Sequence, residues 1–432
     1  MTPRKFPLLK KSLFRFILFS TILFIIITTL ISSSFNSRQV PLIYSLSFCK
    51  NESKSLPFSI PESYLLIPYR EFALRTSIAC RVFKFDNPTK NLSSLHPKYS
   101  KYLNGIFPYV IPSQNITFDD IEKFYTDLSS LNYSKEAFVP RHTSFATNLT
   151  FANVPYIYKN GMWEPIEVQS YQRSAILVPL QGRHYNAKAF LLNLHAYFRR
   201  QLLTYAIFII EQTYPMNKFN KGRLYNTAFN YIRQNKSLNI TCYILHDVDL
   251  IPEHDSNYYS CETMNPKHTT SRVRQLIRGN YVKYYEFLIG GVLILTYNHY
   301  EELNGFSNLY WGWGGEDDDL ALRFVQQKMC VIRPPFAVAI YTGTFESEKT
   351  LPHPKGQRNN QRFGLLLWST IRLKTDGLHN IETLTRIVEV KRWTTFTHLK
   401  VNVDITNSKD TSLSTSKVTT TTAKLTPTTK KK

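Results

Sequence analysis

Cysteine and acidic residues are scarce in this chain of 432 residues. The five cysteines exclude a disulfide-rich scaffold, although a bridge or two can form. Only 31 acidic residues stand against 53 lysines and arginines, which gives a net charge of +22. That charge favours nucleic acid or an anionic membrane as partner, but many of the cations lie near the two termini. A hydrophobic content of 43% is enough for a large core.

Motifs of several common enzyme classes are also missing. The sequence contains no G-x-G-x-x-G loop, no Walker loop and no recognisable Ser/His/Asp set. These absences argue against dehydrogenases, kinases and hydrolases of familiar type.

The N-terminal segment predicts insertion into a membrane. Residues 1–15 carry five basic residues and no acidic one, and Phe16–Ile31 contains no charge. This pattern fits a cleaved signal peptide or a signal anchor, and the long apolar run with a weak cleavage site favours the anchor. Because the basic flank stays cytoplasmic, we expect a single-pass type II protein whose C-terminal bulk is luminal. The short span favours a thin, early-secretory membrane.

Glycosylation acceptors agree with a luminal location. Seven Asn-X-Ser/Thr sites occur, none with proline in the middle: Asn51, Asn91, Asn115, Asn132, Asn148, Asn235 and Asn239. We therefore predict a cytoplasmic tail at 1–15, a transmembrane anchor at 16–32, and a luminal stem and lead-in at 33–150. A catalytic domain follows at 151–400. Residues 401–432 are rich in Thr, Ser and Lys, and we expect a disordered tail there.

An α/β pattern begins near Ser174. Buried strands are predicted at Ser174–Leu180, Tyr205–Ile210, Thr241–Leu245 and Leu288–Leu295, with helices at Asn186–Arg200 and about Lys221–Ile232. The alternation predicts a mainly parallel sheet in three layers, with ligands at the carboxyl ends of its strands.

Two acidic stretches are candidates for chemistry. Asp247-Val248-Asp249 ends a predicted strand, and its two carboxylates can hold Mn²⁺ or Mg²⁺ together with phosphates. Trp311–Asp319 reads WGWGGEDDD, with two tryptophans and three glycines before four carboxylates. The acids can simply begin a helix. The aromatic and glycine lead-in instead suits a wall for a sugar ring, with a carboxylate placed to take a proton from a hydroxyl.

These residues resemble the β-1,4-galactosyltransferase family, whose members are Golgi type II enzymes with a GT-A nucleotide-sugar fold. WGWGGEDDD, DVDLIP at Asp247–Pro252, FNKGRLYN at Phe219–Asn226 and NQRF at Asn360–Phe363 stand in the family's order. The resemblance covers about Gly161 to Val390. It implies a UDP-sugar donor, an acceptor ending in N-acetylglucosamine, Mn²⁺ as cofactor and a Golgi membrane location.

The resemblance also implies roles for individual residues. Asp317 matches the base that deprotonates the acceptor, with Glu316 beside it. Donor contacts fall on Pro179, Arg183, Phe219, Asn220, Lys221, Asp247, Val248, Asp249, Leu288 and Trp313. Acceptor contacts fall on Trp311, Gly315, Asp318, Arg362 and Phe363. Cys242 and Cys261 match a family disulfide.

The metal positions depart from the family pattern. Asp249 matches one ligand, but the family's Met and His, three residues apart, fall on Gly343 and Glu346 when no gap is introduced. An oxygen from Glu346 suits Mn²⁺, whereas a shift of the longer loop brings His353 into the place instead. Both residues can equally be ordinary surface residues. A catalytically impaired, sugar-binding pseudoenzyme is therefore an alternative.

Leu288 is a second departure. Galactose-using members have Tyr at this position, and relatives that use N-acetylgalactosamine have a smaller aliphatic residue. Removing a phenol leaves room for an acetamido group, so the resemblance favours UDP-N-acetylgalactosamine or a relaxed choice between the two donors.

The predicted reaction is inverting transfer to the 4-hydroxyl of N-acetylglucosamine on glycoproteins or glycolipids. A xylose-directed galactosyltransferase of proteoglycan synthesis is another alternative. A nucleic-acid binder conflicts with the anchor and the acceptor sites.

Overall fold

The computed structural model describes residues 105–126, 138–141, 149–152, 154–159, 161–166, 172–261, 265–275, 281–283, 288–334, 337–344, 358–406 and 420–422. They belong to one of the two units into which the chain divides, Phe48–Lys432. The predicted anchor at 16–32 lies outside the described residues. None of the helices in the described ranges has the length and apolar character needed to span a bilayer.

The described part of the chain contains sixteen strands and seven α-helices. The strands are β1 Phe138–Arg141, β2 Leu149–Ala152, β3 Tyr156–Lys159, β4 Met162–Pro165, β5 Arg173–Leu180, β6 Thr204–Tyr214, β7 Cys242–His246, β8 Leu250–Pro252, β9 Lys267–His268, β10 Arg272–Gln275, β11 Tyr281–Lys283, β12 Val292–Thr296, β13 Ile340–Gly343, β14 Arg386–Arg392, β15 Phe396–Asn402 and β16 Thr420–Thr422. The helices are α1 Phe118–Thr126, α2 His184–Arg200, α3 Lys221–Gln234, α4 Tyr297–Glu302, α5 Glu316–Gln326, α6 Arg362–Leu367 and α7 Ser369–Arg372. Short 3-10 helices span Lys236–Leu238 and Leu378–Thr383.

The main sheet has the strand order β16-β14-β15-β6-β5-β7-β12-β9, with β4 paired to β6 and β3 paired to β4. Its centre, β15-β6-β5-β7, is parallel, whereas β12 runs antiparallel to both β7 and β9. The sheet is therefore mixed, and the prediction of a mainly parallel sheet was wrong outside the centre. A parallel return needs a crossover, usually a helix. The described residues between β7 and β12 include no helix, so the chain returns in the opposite direction.

Helices cover both faces of the central strands. In β5, Ile176 and Val178 pack into the core beneath α2, and Ala175 and Leu177 pack into the core beneath α3 and α5. Successive side chains of a strand point to opposite faces, so a strand covered on both sides needs apolar residues at every position. This explains the uninterrupted apolar run that the sequence shows there.

The segment before the predicted catalytic domain is part of the same core. Phe107, Ile121 and Tyr125 are buried, although they precede the boundary drawn at residue 151. The Asn193 side chain on α2 bonds both the N–H and the C=O of Val110, each at 2.7 Å. In the C-terminal segment, which was predicted to be disordered, β16 pairs with β14.

Candidate active site

The parallel strands β5, β6 and β7 end at one edge of the sheet, where the predicted donor residues lie. Arg183 follows β5, and its Nη1 donates to Asp249 Oδ2 at 2.7 Å. The Asp249 carbonyl accepts the N–H of Thr344 at 2.7 Å, and Asn186 of α2 donates to the Thr344 carbonyl at 2.8 Å. Asp249 is thus held by two direct contacts, with Arg183 and Thr344, and Asn186 in turn holds Thr344. Pro179 within β5 and the buried Val248 complete this edge.

The turn after β7 is supported by His246, which sequence reasoning missed. Its Nδ1 lies 2.8 Å from the Asp247 carbonyl, and its Nε2 lies 2.9 Å from the Tyr259 hydroxyl. Burial lowers the pKa of His246 to about 4, so the ring stays neutral near neutral pH. The signal that could have identified His246 is its position at the end of a buried strand, directly before the Asp-X-Asp motif.

Disulfides also hold this region. The predicted bridge between Cys242 and Cys261 is confirmed, and it ties β7 to the segment after β8. Cys330, which follows α5, is disulfide-bonded as well.

Lys221 brings the two acidic stretches together. It begins α3, and its Nζ lies 2.9 Å from Asp317 Oδ1, 3.0 Å from Glu316 Oε1 and 3.8 Å from Asp247 Oδ1. Asn220 caps the same helix by accepting the Arg223 N–H at 2.9 Å. The helix start therefore points an ammonium at carboxylates that are 70 residues apart in sequence.

Burial sets the protonation of this cluster. It raises the pKa of Asp317 to about 7, because the loss of hydration and the nearby Glu316 and Asp247 outweigh the attraction of Lys221. It also raises the pKa of Asp247 to about 6. Burial disfavours the charged form of Lys221, but the three carboxylates together raise its pKa well above the ordinary value. The cluster thus keeps a permanent cation beside a carboxyl that titrates near neutral pH.

Gly290 allows Asp317 to lie against the backbone. A Cβ added at Gly290 would be 2.2 Å from Asp317 Oδ2 and 3.4 Å from Leu288 Cδ1. Leu288 and Asp317 therefore flank the same point of the chain. The segment Leu288–Gly291 precedes β12, which begins at Val292 and not at Leu288 as predicted. Gly291 has a φ of +92°, which few residues other than glycine adopt, and it turns the chain into the strand.

The predicted acceptor residues form the other side of the site. The Gly312 N–H donates to the Phe219 carbonyl at 2.7 Å, and the Arg223 guanidinium lies 4.7 Å from the centre of the Trp311 ring. Trp313, a predicted donor contact, is 43% exposed, and the Arg358 guanidinium lies 5.8 Å from the centre of its ring.

Residues at the start of α6 and just before it pack against the segment Trp311–Gly315. The Asn359 N–H bonds the Trp313 carbonyl at 3.0 Å, and the Arg362 guanidinium lies 4.4 Å from the centre of the Phe363 ring. A Cβ at Gly315 would be 2.8 Å from Arg362 Cβ, so the two segments touch. The structure therefore places Arg362 and Phe363 beside the turn that leads to Asp317.

The four consecutive carboxylates have different environments. Asp319 is fully buried, accepts the Tyr310 hydroxyl at 2.9 Å, and is ion-paired to Arg323 and Arg372 at 2.9 Å each. Asp318 is also buried. Sequence reasoning missed the structural role of Asp319. The spacing of Asp319 and Arg323, four residues apart on a helix, was the available signal.

Of the three predicted metal ligands, Asp249 lies in the described part of the chain. Glu346 and His353 lie outside the described residues, and Gly343, in β13, carries no side-chain donor. Within the described ranges, no three His, Cys, Asp or Glu side chains come together as a metal site. The Asp249 carboxylate offers the oxygen donors that Mn²⁺ prefers, and its Oδ2 accepts from Arg183 in this structure.

Of the glycosylation acceptors, Asn115 and Asn239 are exposed and Asn235 is half-buried. Asn51, Asn91, Asn132 and Asn148 lie outside the described residues. Glycosylation at all seven positions stays a prediction.

The chain is similar to known glycosyltransferases along most of the described region. Residues 133–262 match the N-terminal region of glycosyl transferase group 7, and residues 273–347 match a galactosyltransferase domain described as N-terminal. A β-1,4-galactosyltransferase 4 from Cricetulus griseus is 39% identical over 244 residues, which cover 56% of this chain and 67% of that protein. The Homo sapiens β-1,4-galactosyltransferase 4 is 41% identical, over 50% of this chain and 60% of that protein. The match thus spans about two thirds or less of these relatives.

A solved structure is also similar. A Drosophila β-1,4-galactosyltransferase 7, in complex with manganese, UDP-Gal and xylobiose, is 25% identical with a TM-score of 0.45 and covers 54% of this chain and 94% of that one. The sequence matches decide the assignment, because the hamster relative aligns over two thirds of its length at 39% identity. The chain belongs to the β-1,4-galactosyltransferase family of enzymes.

Proposed function

We propose that this protein is an inverting, Mn²⁺-dependent glycosyltransferase with a GT-A-type fold. It transfers galactose or N-acetylgalactosamine from a UDP donor to the 4-hydroxyl of a terminal N-acetylglucosamine. The contact of Lys221 with both Asp247 and Asp317 carries this proposal. Asp247 belongs to the proposed donor loop and Asp317 is the proposed base, so one ammonium links the two halves of the reaction. The names of the related galactosyltransferases support the type of sugar transferred.

The donor binds at the carboxyl ends of β5, β6 and β7. Phe219 and Asn220 contact the uridine side, and Arg183 contributes positive charge near the diphosphate. Asp249 would hold Mn²⁺ through its carboxylate, whose oxygens suit that ion. When bound, the cation neutralises the diphosphate and so makes UDP a better leaving group.

The acceptor binds between Trp311 and Phe363, and its 4-hydroxyl meets the Asp317 carboxylate. Asp317 takes the hydroxyl proton while the oxygen attacks the anomeric carbon from the face opposite UDP, which inverts that centre. A pKa of about 7 for Asp317 suits this task, because the ionised fraction is large and the carboxylate is more basic than an ordinary one. Glu316, bound to the same ammonium, helps fix the position of Lys221.

Product analysis tests the proposal directly. The protein is incubated with a UDP-sugar, Mn²⁺ and methyl β-N-acetylglucosaminide, and the disaccharide is examined by nuclear magnetic resonance. We expect a β-linkage to the 4-position. An α-linked product, or transfer to another hydroxyl, would contradict the proposed mechanism.

Replacing Lys221 with Met is expected to move the acidic limb of the kcat profile by roughly one pH unit toward higher pH. Lys221 lowers the pKa of Asp317 through its charge, so removing that charge raises this pKa further. The proposed base then ionises only at higher pH. The Lys221→Arg variant keeps the charge and should keep the wild-type limb. Equal profiles for Met and Lys would show that Asp317 does not control the rate.

Replacing Gly290 with Ala is expected to lower kcat by about 100-fold, because displacement of a catalytic group by about 1 Å has effects of this size. The new Cβ would overlap Asp317 Oδ2, which lies 2.2 Å from its position. Gly364 on α6 provides the matched control, since a Cβ there meets no atom within 4 Å. Full activity of the Gly290→Ala variant would mean that Asp317 is not required at its present position.

Replacing Leu288 with Tyr is expected to change the donor preference toward UDP-galactose by about tenfold or more. A phenol at this position takes the space that an acetamido group on the second sugar carbon needs. The measurement is the ratio of kcat/KM for UDP-galactose and UDP-N-acetylgalactosamine, in wild type and variant. An unchanged ratio would contradict the proposal that Leu288 contacts the donor sugar.

A further inference from the structure

The helical segment after the proposed acceptor residues has an apolar outer face. Leu367 is 47% exposed, Trp368 is 60% exposed and Ile371 is 69% exposed. Phe363 and Leu367 lie one turn apart on α6, Trp368 joins α6 to α7, and Ile371 lies in α7. We call these four residues the apolar strip. Single exposed apolar residues are common on protein surfaces, whereas a continuous group of them usually marks a binding surface.

The inner face of the same segment is firmly anchored, so the outward direction of the strip is fixed. Leu366 and Ser369 are buried. Arg372 donates to Asp319 Oδ2 at 2.9 Å and to the Leu365 carbonyl at 2.8 Å. A rotation that buried Trp368 or Ile371 would break these contacts with the core.

The strip is continuous with the proposed acceptor site. It begins at Phe363, directly after Arg362, which packs against Gly315. The Asn359 N–H is bonded to the Trp313 carbonyl at 3.0 Å, so the start of the segment is held to the loop that precedes Asp317. From Phe363 to Leu367 α6 rises by about 6 Å, at the usual rise of a helix, and α7 follows after Trp368. A group attached to the acceptor sugar can therefore reach it.

We propose that the apolar strip binds an alkyl aglycone attached to the reducing end of the acceptor sugar, so that the enzyme selects acceptors that carry an apolar chain. This inference rests on the proposed function. The Arg362 guanidinium lies against Phe363, but the three exposed members of the strip carry no charge, so an apolar group gains most from contact with them. Three partly exposed side chains offer on the order of 300 Å². A stable protein interface needs about 800 Å² per partner, which argues against a second protein or a second copy as the occupant.

The test compares methyl and octyl β-N-acetylglucosaminide as acceptors, at concentrations at which the octyl glycoside is monomeric. Wild type should show a KM for the octyl glycoside about tenfold lower, the change that burial of roughly two methylene groups produces. A Trp368→Gln/Ile371→Gln double variant should lose this difference and keep the wild-type KM and kcat for the methyl glycoside. The matched control is Ile166→Gln/Val388→Gln, which changes two exposed aliphatic residues elsewhere.

Other results would overturn the inference. Equal KM values for the two glycosides in wild type would overturn it, although transfer to both would leave the proposed function intact. A preference for the octyl glycoside that persists in the double variant would also overturn it. A wild-type dimer that dissociates in the double variant, measured by sedimentation, would identify the strip as a contact between copies instead. If neither glycoside is a substrate, the proposed function fails. Calorimetric titration of both glycosides then tests the apolar strip by itself. Tighter binding of the octyl glycoside, lost in the double variant, then supports the strip, and equal or absent binding rejects it.

Discussion

The Asp317→Asn variant is expected to transfer sugar about 1,000-fold more slowly than wild type, with the affinity for UDP unchanged. The amide keeps the shape of the carboxyl group but cannot accept the acceptor's proton. Because the amide oxygen can still accept from Lys221, that lysine should stay beside the proposed donor loop, and the UDP contacts should persist. The measurements are kcat with saturating donor and acceptor, and UDP binding by calorimetry.

The matched control for this change is Asp120→Asn. Asp120 also lies in the first turn of a helix, α1, but it is exposed and far from the site in sequence. Its variant should keep wild-type activity. Loss of both transfer and UDP binding in Asp317→Asn would indicate a damaged fold. Retention of most of the activity would assign the proton transfer to another group.

The Asp319→Ala variant is expected to lose about 3–5 kcal/mol of the free energy of unfolding. Asp319 and Arg323 are fully buried, and Arg372 is mostly so, which means that removing the carboxylate leaves two buried guanidinium groups with Asp376 as their remaining acidic partner. The Tyr310 hydroxyl also loses its acceptor. A shift of the urea midpoint at constant slope measures this loss.

An exposed ion pair provides the comparison for Asp319. Glu389 pairs with Lys400 at 2.8 Å, and both side chains are more than a third exposed. Water and salt screen such a pair, so Glu389→Ala should cost at most about 1 kcal/mol. Equal effects of the two changes would contradict the structural role given to Asp319.

Much of the central fold was predictable because it depends on local patterns. The apolar runs of β5, β6 and β7 identify strands covered on both faces, and the helical spacing after Asn186 and Lys221 identifies α2 and α3. The direction of β12 was not predictable in this way. Its apolar residues suit a parallel or an antiparallel strand equally well, and only the path of the chain after β7 decides between them.

The candidate site shows the same division. Its acidic motifs and aromatic lead-in are visible in the sequence, and so is the resemblance that assigns their roles. The difference between Asp317 and Asp319 is not visible, because both are aspartates in the same turn of α5. Only the fold places Asp317 beside an ammonium in the site and Asp319 beside two arginines in the core. The requirement for Gly290 was hidden as well, since it follows from a carboxylate that is distant in sequence.

The most direct test of the proposed function is the release of UDP by the purified protein in the presence of Mn²⁺ and N-acetylglucosamine. We expect release from UDP-galactose or UDP-N-acetylgalactosamine that depends on both the acceptor and the metal, and that Asp317→Asn slows by about 1,000-fold. A folded wild-type protein that binds UDP and releases none from either donor, with the acceptor present, would contradict the assignment of this site as a working transferase.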